Sequence, residues 1–166
     1  MKLSVVKYSQ RDSKWASEKL GTSAVTIGDY GCALTALAMV EKYYGFDTDP
    51  SRLNQLLIDK AVYANRNLMG WYLIERVNEF VKFKEWIDCP TTAAPLNKVD
   101  AELTEGRPVI AWVDLNPMQL GADHFVVIVG KTEDNHYLIN DPWTGEEYYF
   151  DSQYGEPAKG IFGLRL

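Results

Sequence analysis

Asp29-Tyr30-Gly31-Cys32-Ala33-Leu34-Thr35-Ala36-Leu37-Ala38-Met39-Val40 is the stretch whose reading decides the fold, a tight turn running directly into an apolar segment that begins with a cysteine. Ala33, Leu34, Leu37, Ala38 and Val40 cover most faces of a helix, which predicts a central buried helix from about Cys32 to Tyr44. Gly45 supplies the left-handed stop. A helix N-terminus carries roughly half a positive charge and several unpaired N–H groups, so it favours a thiolate over a thiol. Gly31 leaves room for a group approaching the sulfur, and the Cys32 N–H can point at that group. The same cysteine also reads as a small buried hydrophobe at a helix start, and what separates the two readings lies about ninety residues downstream.

Working outward, residues 2–8 alternate apolar and polar side chains and predict a short strand. Glycines 21, 28 and 31, with Ser and Thr between them, predict a loop from Leu20 to Tyr30. Asp49-Pro50 places a capping side chain ahead of a first-turn proline, so a helix is expected from about 50 to 60 with Leu53, Leu56 and Leu57 inward. A third helix is expected after Gly70 on Leu73, Ile74, Val77 and Phe80 or Val81, and a fourth over Leu96 to Thr104, ended by Gly106. The character then changes. Five short β-branched or aromatic runs begin near Pro108, His124, His136, Glu147 and Ile161, separated by turn residues. Helices first and strands afterwards predict an α+β fold with a mostly antiparallel sheet. With 166 residues, 46% of them apolar, and no repeat, linker or low-complexity tract, one domain over 1–166 is expected.

Seventeen Lys and Arg against 23 Asp and Glu leave a net charge of −6, which excludes an electrostatic footprint for nucleic acid or anionic lipid. No run approaches the ~20 apolar residues of a membrane span, and the start is too short and polar for a secretion signal. The chain is expected to carry no export address, and so to act in the cytoplasm or after release by cell lysis. Cys32 and Cys89 are in no Cys-x-x-Cys pair, so neither zinc nor redox chemistry is indicated. Cys89, before Pro90, reads as a packed thiol.

A cysteine nucleophile requires a base to take and return a proton, and histidine, with an ordinary pKa of about 6.5, suits the task. His124 opens a strongly apolar strand and could face the start of the Cys32 helix, whereas His136 falls in a hairpin turn and reads as solvated. The bland reading of His124 is a satisfied histidine at a strand end. The base in turn requires an acceptor on its other nitrogen. A hairpin from His124 through residues 133–136 returns the chain beside its own beginning near Asn140-Asp141-Pro142. Asp141 is the orienting carboxylate on this reading, or the first residue of an Asp-Pro turn. Asn140 is the neighbouring candidate, but successive strand residues face opposite sides and only one of the two can reach the ring.

Tyr8-Ser9-Gln10-Arg11-Asp12 with Trp15, Gly31-Cys32-Ala33-Leu34-Thr35 through Tyr43-Tyr44-Gly45, Gly106-Arg107-Pro108, His124 to Gly130, and Asn140-Asp141-Pro142 with Gly145 together carry a family likeness over almost the whole chain. In order and spacing they resemble the papain-like cysteine peptidases, within them the bacteriocin leader (double-glycine) peptidase branch, cysteine peptidase family thirty-nine, and its looser relatives. The resemblance implies a papain-like α+β fold whose cysteine-bearing helix packs on the sheet, with Cys32 as nucleophile, His124 as general base and acid, and Asp141 orienting the imidazole. It further implies an upstream glutamine that donates to the oxyanion, which falls on Gln10. Here the chain departs from the pattern, because 22 positions separate Gln10 from Cys32 where the relatives keep a handful. Residues 16–30 would then be an insertion folding out of the way. Trp143 matches in position the tryptophan that shields the orienting hydrogen bond, although a core indole accounts for it equally well.

The implied activity is hydrolysis of peptide bonds through a thioester, with no metal or organic cofactor. The implied substrate is a peptide or a peptidoglycan peptide, as in a phage lysin or wall hydrolase. At −6 the chain is not expected to adhere to an anionic wall without a separate binding module. Two other readings stay open: a non-catalytic peptide-binding module on the same fold, and an acyltransferase or transglutaminase-like enzyme using the same residues. Tyr63 to Tyr72 and Asn116 to Asp123 are expected to flank the cleft.

Overall fold

A computed structural model describes residues 1–115 and 122–166. Most of the loop expected beside the cleft, 116–121, lies outside the described residues. The chain is α+β, and its helices precede most of its strands, as the sequence predicts.

A short helical turn, α1 (Ile27–Tyr30), capped by the Thr26 hydroxyl, interrupts the expected loop and leads through Gly31 into α2 (Cys32–Tyr43). Leu34 to Glu41 are all buried, so α2 is the central helix of the fold. Gly45 follows it at φ 87°. Helix α3 (Pro50–Asp59) begins with the Asp49 carboxylate accepting from the Arg52 N–H, at the expected cap and proline. Leu53 and Leu57 are buried, and Asn54, also buried, supports the preceding loop through Gly21 N–H and the Lys19 carbonyl.

The third expected helix is shorter and tighter than the spacing suggests, a six-residue 3₁₀ segment over Trp71–Arg76. Aromatic and β-branched residues are poor helix formers, Gly70 gives no side-chain cap, and the Asn78 carboxamide accepts from the Phe80 N–H, closing a local turn that competes with another helical turn. Val81 enters the core while Phe80 is 87% exposed. β1 (Trp86–Asp88), which the sequence does not announce, precedes α4 (Leu96–Thr104), and the latter matches the expected bounds. β2 (Val109–Val113), β3 (His124–Lys131), β4 (Tyr137–Asp141) and β5 (Glu146–Tyr149) follow, then the short helices α5 (Phe150–Tyr154) and α6 (Pro157–Gly160) and the last strand β6 (Ile161–Arg165).

Among the described residues the strands form one six-stranded sheet, ordered β1-β6-β2-β3-β4-β5 with every pair antiparallel. Ile110, Val127 and Val129 pack on one face with Leu34, Leu37 and Val40 of α2 and with Leu53 and Leu57 of α3. Val109, Ala111, Val126, Ile128 and Ile139 pack on the other, against Val99 and Leu103 of α4 and Phe150 of α5. The expected strand at 2–8 does not form. That segment joins the sheet through a single bridge, Lys2 to Gly130, supported by Leu3 N–H to the Val129 carbonyl, because the β3–β4 register shifts beside Gly130 and offers no continuous edge.

Candidate active site

Antiparallel pairing of β3 with β4 brings the beginning of one strand beside the end of the other. Val127 faces Asn140 in the register, so Val126 and His124 share a face with Asp141, and Asn140 points to the opposite side. The alternation thus separates the two neighbours. Asp141 Oδ1 lies 2.7 Å from His124 Nε2, whereas Asn140 Nδ2 donates to the carbonyls of Val5 and Val6 at 3.2 and 3.3 Å and anchors the N-terminal segment. The ring and the carboxylate are buried, at 2% and 3% exposure.

Cys32, at the first position of α2, lies near enough to the same ring to raise its pKa. Nε2 is engaged with Asp141, so Nδ1 is the ring nitrogen left for another partner. The thiol is half-buried and free; the second cysteine, Cys89, is also free but buried, and its thiol donates to the Ile161 carbonyl at 3.4 Å. Gly31 has a more local reason than room for an approaching group: a Cβ there would lie 2.5 Å from the Ile27 carbonyl oxygen. The close turn of α1 against α2 therefore requires glycine.

Burial opposes a charged His124 ring, but the Asp141 hydrogen bond, then the nearby Cys32 and the charges of both, outweigh it and raise the pKa to about 9. Burial likewise opposes a charged Asp141, yet the His124 contact, the Tyr154 hydroxyl and the Trp143 N–H hold its carboxyl below the usual range. Tyr154 is a contributor that the sequence reading misses. Its hydroxyl donates to Asp141 Oδ2 at 2.6 Å from α5, past the last motif with an obvious chemical pattern. The Trp143 backbone N–H donates to Asp141 Oδ1 at 2.8 Å, while its indole stacks under the Arg11 guanidinium, 4.7 Å from the ring centroid. Trp143 thus touches the carboxylate through its backbone.

Gln10 is buried beside this group. Its N–H donates to the Pro142 carbonyl at 2.7 Å, and its carboxamide donates to the Gly28 carbonyl at 3.0 Å. The long separation from Cys32 is bridged because residues 16–28 close on themselves, with Gly28 N–H to Ala16 O, Ile27 N–H to Glu18 O and a Lys19–Thr26 bridge. Gly145, at φ 74°, completes the contact: a Cβ there would lie 2.8 Å from Ser9 Cβ. His136 is exposed and pairs with Asp151 at 2.8 Å, apart from this cluster. Residues 63–72 pack around α3 and the 21–22 loop, as in the Tyr63 hydroxyl to Asn54 and Thr22 N–H to the Arg66 carbonyl.

Among the described residues no three His, Cys, Asp or Glu side chains gather as metal ligands, and no helix is long and apolar enough to cross a membrane. No curated protein matches the chain. A profile described as the Peptidase_C39 like family matches residues 2–157, a span that runs from the N-terminal segment through Cys32, His124, Asp141 and Tyr154, and the chain belongs to that family.

Proposed function

We propose that the chain is a cysteine peptidase or amidase that cleaves a peptide bond by acyl transfer to Cys32. The observation that carries the reading is a buried imidazole held by a carboxylate on one nitrogen, with a helix-N-terminal sulfur near enough to raise its pKa. A ring whose pKa is raised to about 9 is a strong enough base to take the proton of the neighbouring sulfur as that sulfur attacks.

In this mechanism the sulfur attacks the substrate carbonyl, the C=O electrons move onto oxygen, and the Cys32 N–H and the second N–H of the Gln10 carboxamide hold the oxyanion. The oxyanion collapses, the C–N bond breaks, and His124 Nδ1 gives its proton to the departing amine. A water then loses a proton to His124 and attacks the thioester, the C–S bond breaks, and the acid leaves with the sulfur and the ring returned to their starting state. Asp141 keeps the ring oriented throughout, and Tyr154 and the Trp143 N–H keep Asp141 in place. The substrate class is peptides, with peptidoglycan peptides as the specific case. At a net charge of −6, action on an anionic wall takes a separate binding module.

The test is incubation of wild-type protein and Cys32→Ala with casein-like polypeptide and, separately, with purified cell walls, followed by identification of new amino termini. New termini with the wild type alone are expected. Their absence from both substrates, with binding intact in Cys32→Ala, would replace the enzyme by a peptide-binding module. Capture of the acyl group by added amine in preference to water would make it an acyltransferase.

A further inference from the structure

Ser9-Gln10-Arg11 is fastened to the turn that follows Asp141. The Gln10 N–H donates to the Pro142 carbonyl at 2.7 Å, and the Ser9 hydroxyl accepts from the Arg11 N–H at 3.1 Å while donating to the Trp143 carbonyl at 3.4 Å. Within that clamp the Gln10 side chain turns inward, at 1% exposure, and Arg11 turns outward and is exposed. The Arg11 guanidinium lies over the Trp143 indole, 4.7 Å from the ring centroid, and the Trp143 N–H is itself bonded to Asp141. A cation is thus fixed beside Gln10 and over the turn of the carboxylate that holds His124.

The charge on Arg11 is unspent. The chain carries 23 acidic side chains, yet among the described residues none forms an ion pair with Arg11. Those on the adjoining segments are engaged: Asp12 Oδ1 accepts from the Lys14 N–H, Glu146 pairs with Lys7 at 3.5 Å, and Asp141 is held by His124, Trp143 and Tyr154. Stacking on an indole uses the face of a guanidinium and leaves its in-plane N–H groups open. It also holds the plane in place, so less rotamer freedom is lost when an acceptor arrives.

We propose that Arg11 is a specificity-determining residue that receives a carboxylate carried by the half of the peptide leaving as the amine. The assignment rests on the peptidase reading above. In that mechanism His124 gives its proton to the departing nitrogen, so the amine half crosses the ring. Beyond the ring stand Asp141, its turn and the clamped segment 9–11, whereas α1 and α2 stand on the side of the sulfur. A carboxylate can accept two N–H groups of the guanidinium at once, a neutral group matches the fork less well, and a cation is repelled. At a net charge of −6 the chain as a whole disfavours acidic peptides, so a preference for them marks a local contact.

The experiment uses randomised decapeptide libraries, one with free and one with amidated carboxyl termini. Cleavage by the full chain is read by sequencing new amino termini, and binding is read separately by capture on immobilised Cys32→Ala. Both are repeated with Arg11→Glu and with Lys14→Glu, which makes the same charge change at an exposed lysine. Asp or Glu, or the terminal carboxylate, is expected to be enriched about three- to tenfold within the first two residues of the new amino termini. Arg11→Glu is expected to abolish that enrichment and to favour Lys or Arg there, and Lys14→Glu to leave it in place. Persistence in the amidated library assigns the carboxylate to a side chain, and confinement to the free library assigns it to the chain end. Cleavage without an acidic preference on the amine side, or a preference that Arg11→Glu leaves unchanged or Lys14→Glu changes equally, overturns the assignment and leaves the peptidase reading standing. No cleavage by wild type, with acidic peptides still captured through Arg11, overturns the peptidase reading and sustains Arg11 as the anion contact. No cleavage and no such capture overturn both.

Discussion

Replacing Asp141 by asparagine removes a charge from the candidate site while leaving its shape. The amide oxygen can still accept from His124 Nε2 and the Trp143 N–H, now 2.7 and 2.8 Å from Oδ1. The new NH₂ would face the Tyr154 hydroxyl, 2.6 Å from Oδ2, which can rotate from donor to acceptor. In the wild type the ring is raised from 6.5 to about 9 against the pull of burial. At roughly 1.4 kcal/mol per tenfold in proton affinity, that is a net preference of about 3 kcal/mol for the imidazolium. With the carboxylate gone, burial is opposed by Cys32 alone, so the ring titrates about 1–2 pH units lower. The chain has two histidines, and the exposed His136 can be changed to glutamine for assignment, so ring ¹⁵N chemical shifts from pH 5 to 10 read His124 directly. Stability follows in a defined direction. The raised His124 contributes fully below pH 6.5 and loses that contribution as pH rises through about 9. The depressed Asp141 contributes above the ordinary carboxylate range and loses it as pH falls through its lowered pKa. Asp141→Asn should flatten both limbs of a melting-temperature profile. A wild-type ring that titrates near 6.5, or a midpoint that Asp141→Asn leaves in place, refutes the reasoning.

Tyr154→Phe deletes a part-buried donor to a buried carboxylate and should cost ~1.5–3 kcal/mol in urea denaturation; a loss below about 0.5 kcal/mol would show that the 2.6 Å contact is not maintained in solution. Gly31→Ala forces a methyl to 2.5 Å from the Ile27 carbonyl oxygen, so a destabilisation of ~1–3 kcal/mol is expected, and an unchanged midpoint would mean that α1 and α2 separate at no cost. Gln10→Ala should lower kcat by ~10²–10³ with KM little changed if its carboxamide holds the oxyanion, while unchanged kcat assigns Gln10 to packing alone. Glu41, buried in α2 and bonded to Asn78, is raised to about 7 by burial, so the stability of its neutral form is complete below pH 4.5 and lost as pH rises through about 7. Glu41→Gln should therefore stabilise the protein by ~1–3 kcal/mol at pH 8 and by little at pH 4, and an equal effect at both would contradict the burial argument.

What the sequence discloses depends on how local the determining physics is. The Asp49-Pro50 start, the Gly45 stop and the Leu96–Thr104 helix are set by caps and spacing within a few residues, and the structure has them at the expected places. The strand runs after Pro108 are equally legible, because β-branched alternation bounded by turn residues is a local signal. Residues 2–8 and the segment after Gly70 mislead for opposite reasons. The first has strand composition but no continuous edge to pair with, and the second has helical spacing carried by residues that resist an α-helix. β1 has no local signature at all, since three residues between loops become a strand only by pairing with β6, more than seventy positions away. At the candidate site, the hairpin arithmetic that places Asp141 beside His124 needs only strand lengths and a turn. Tyr154 needs the path of the chain after β5, which no pattern in the sequence supplies.

The way the site is held explains which of its parts can move. Asp141 accepts three hydrogen bonds, from β3, from its own turn and from α5, so both of its oxygens are held. An acceptor-only group is the side chain that satisfies three converging donors without an orphan, which is a structural reason for a carboxylate here in place of the neighbouring amide. Asn140 shows the converse on the opposite face, where carbonyls converge and an NH₂ is wanted. The ring is therefore fixed from behind and buried, while the thiol it faces is half-buried on the first turn of a helix whose entry is a glycine packed on α1. On the proposed mechanism, preorganisation lies in His124 and Asp141, and the accessible partner is the Cys32 sulfur. That is the order a nucleophile requires if its proton acceptor is to stay aligned while the sulfur reaches an incoming carbonyl.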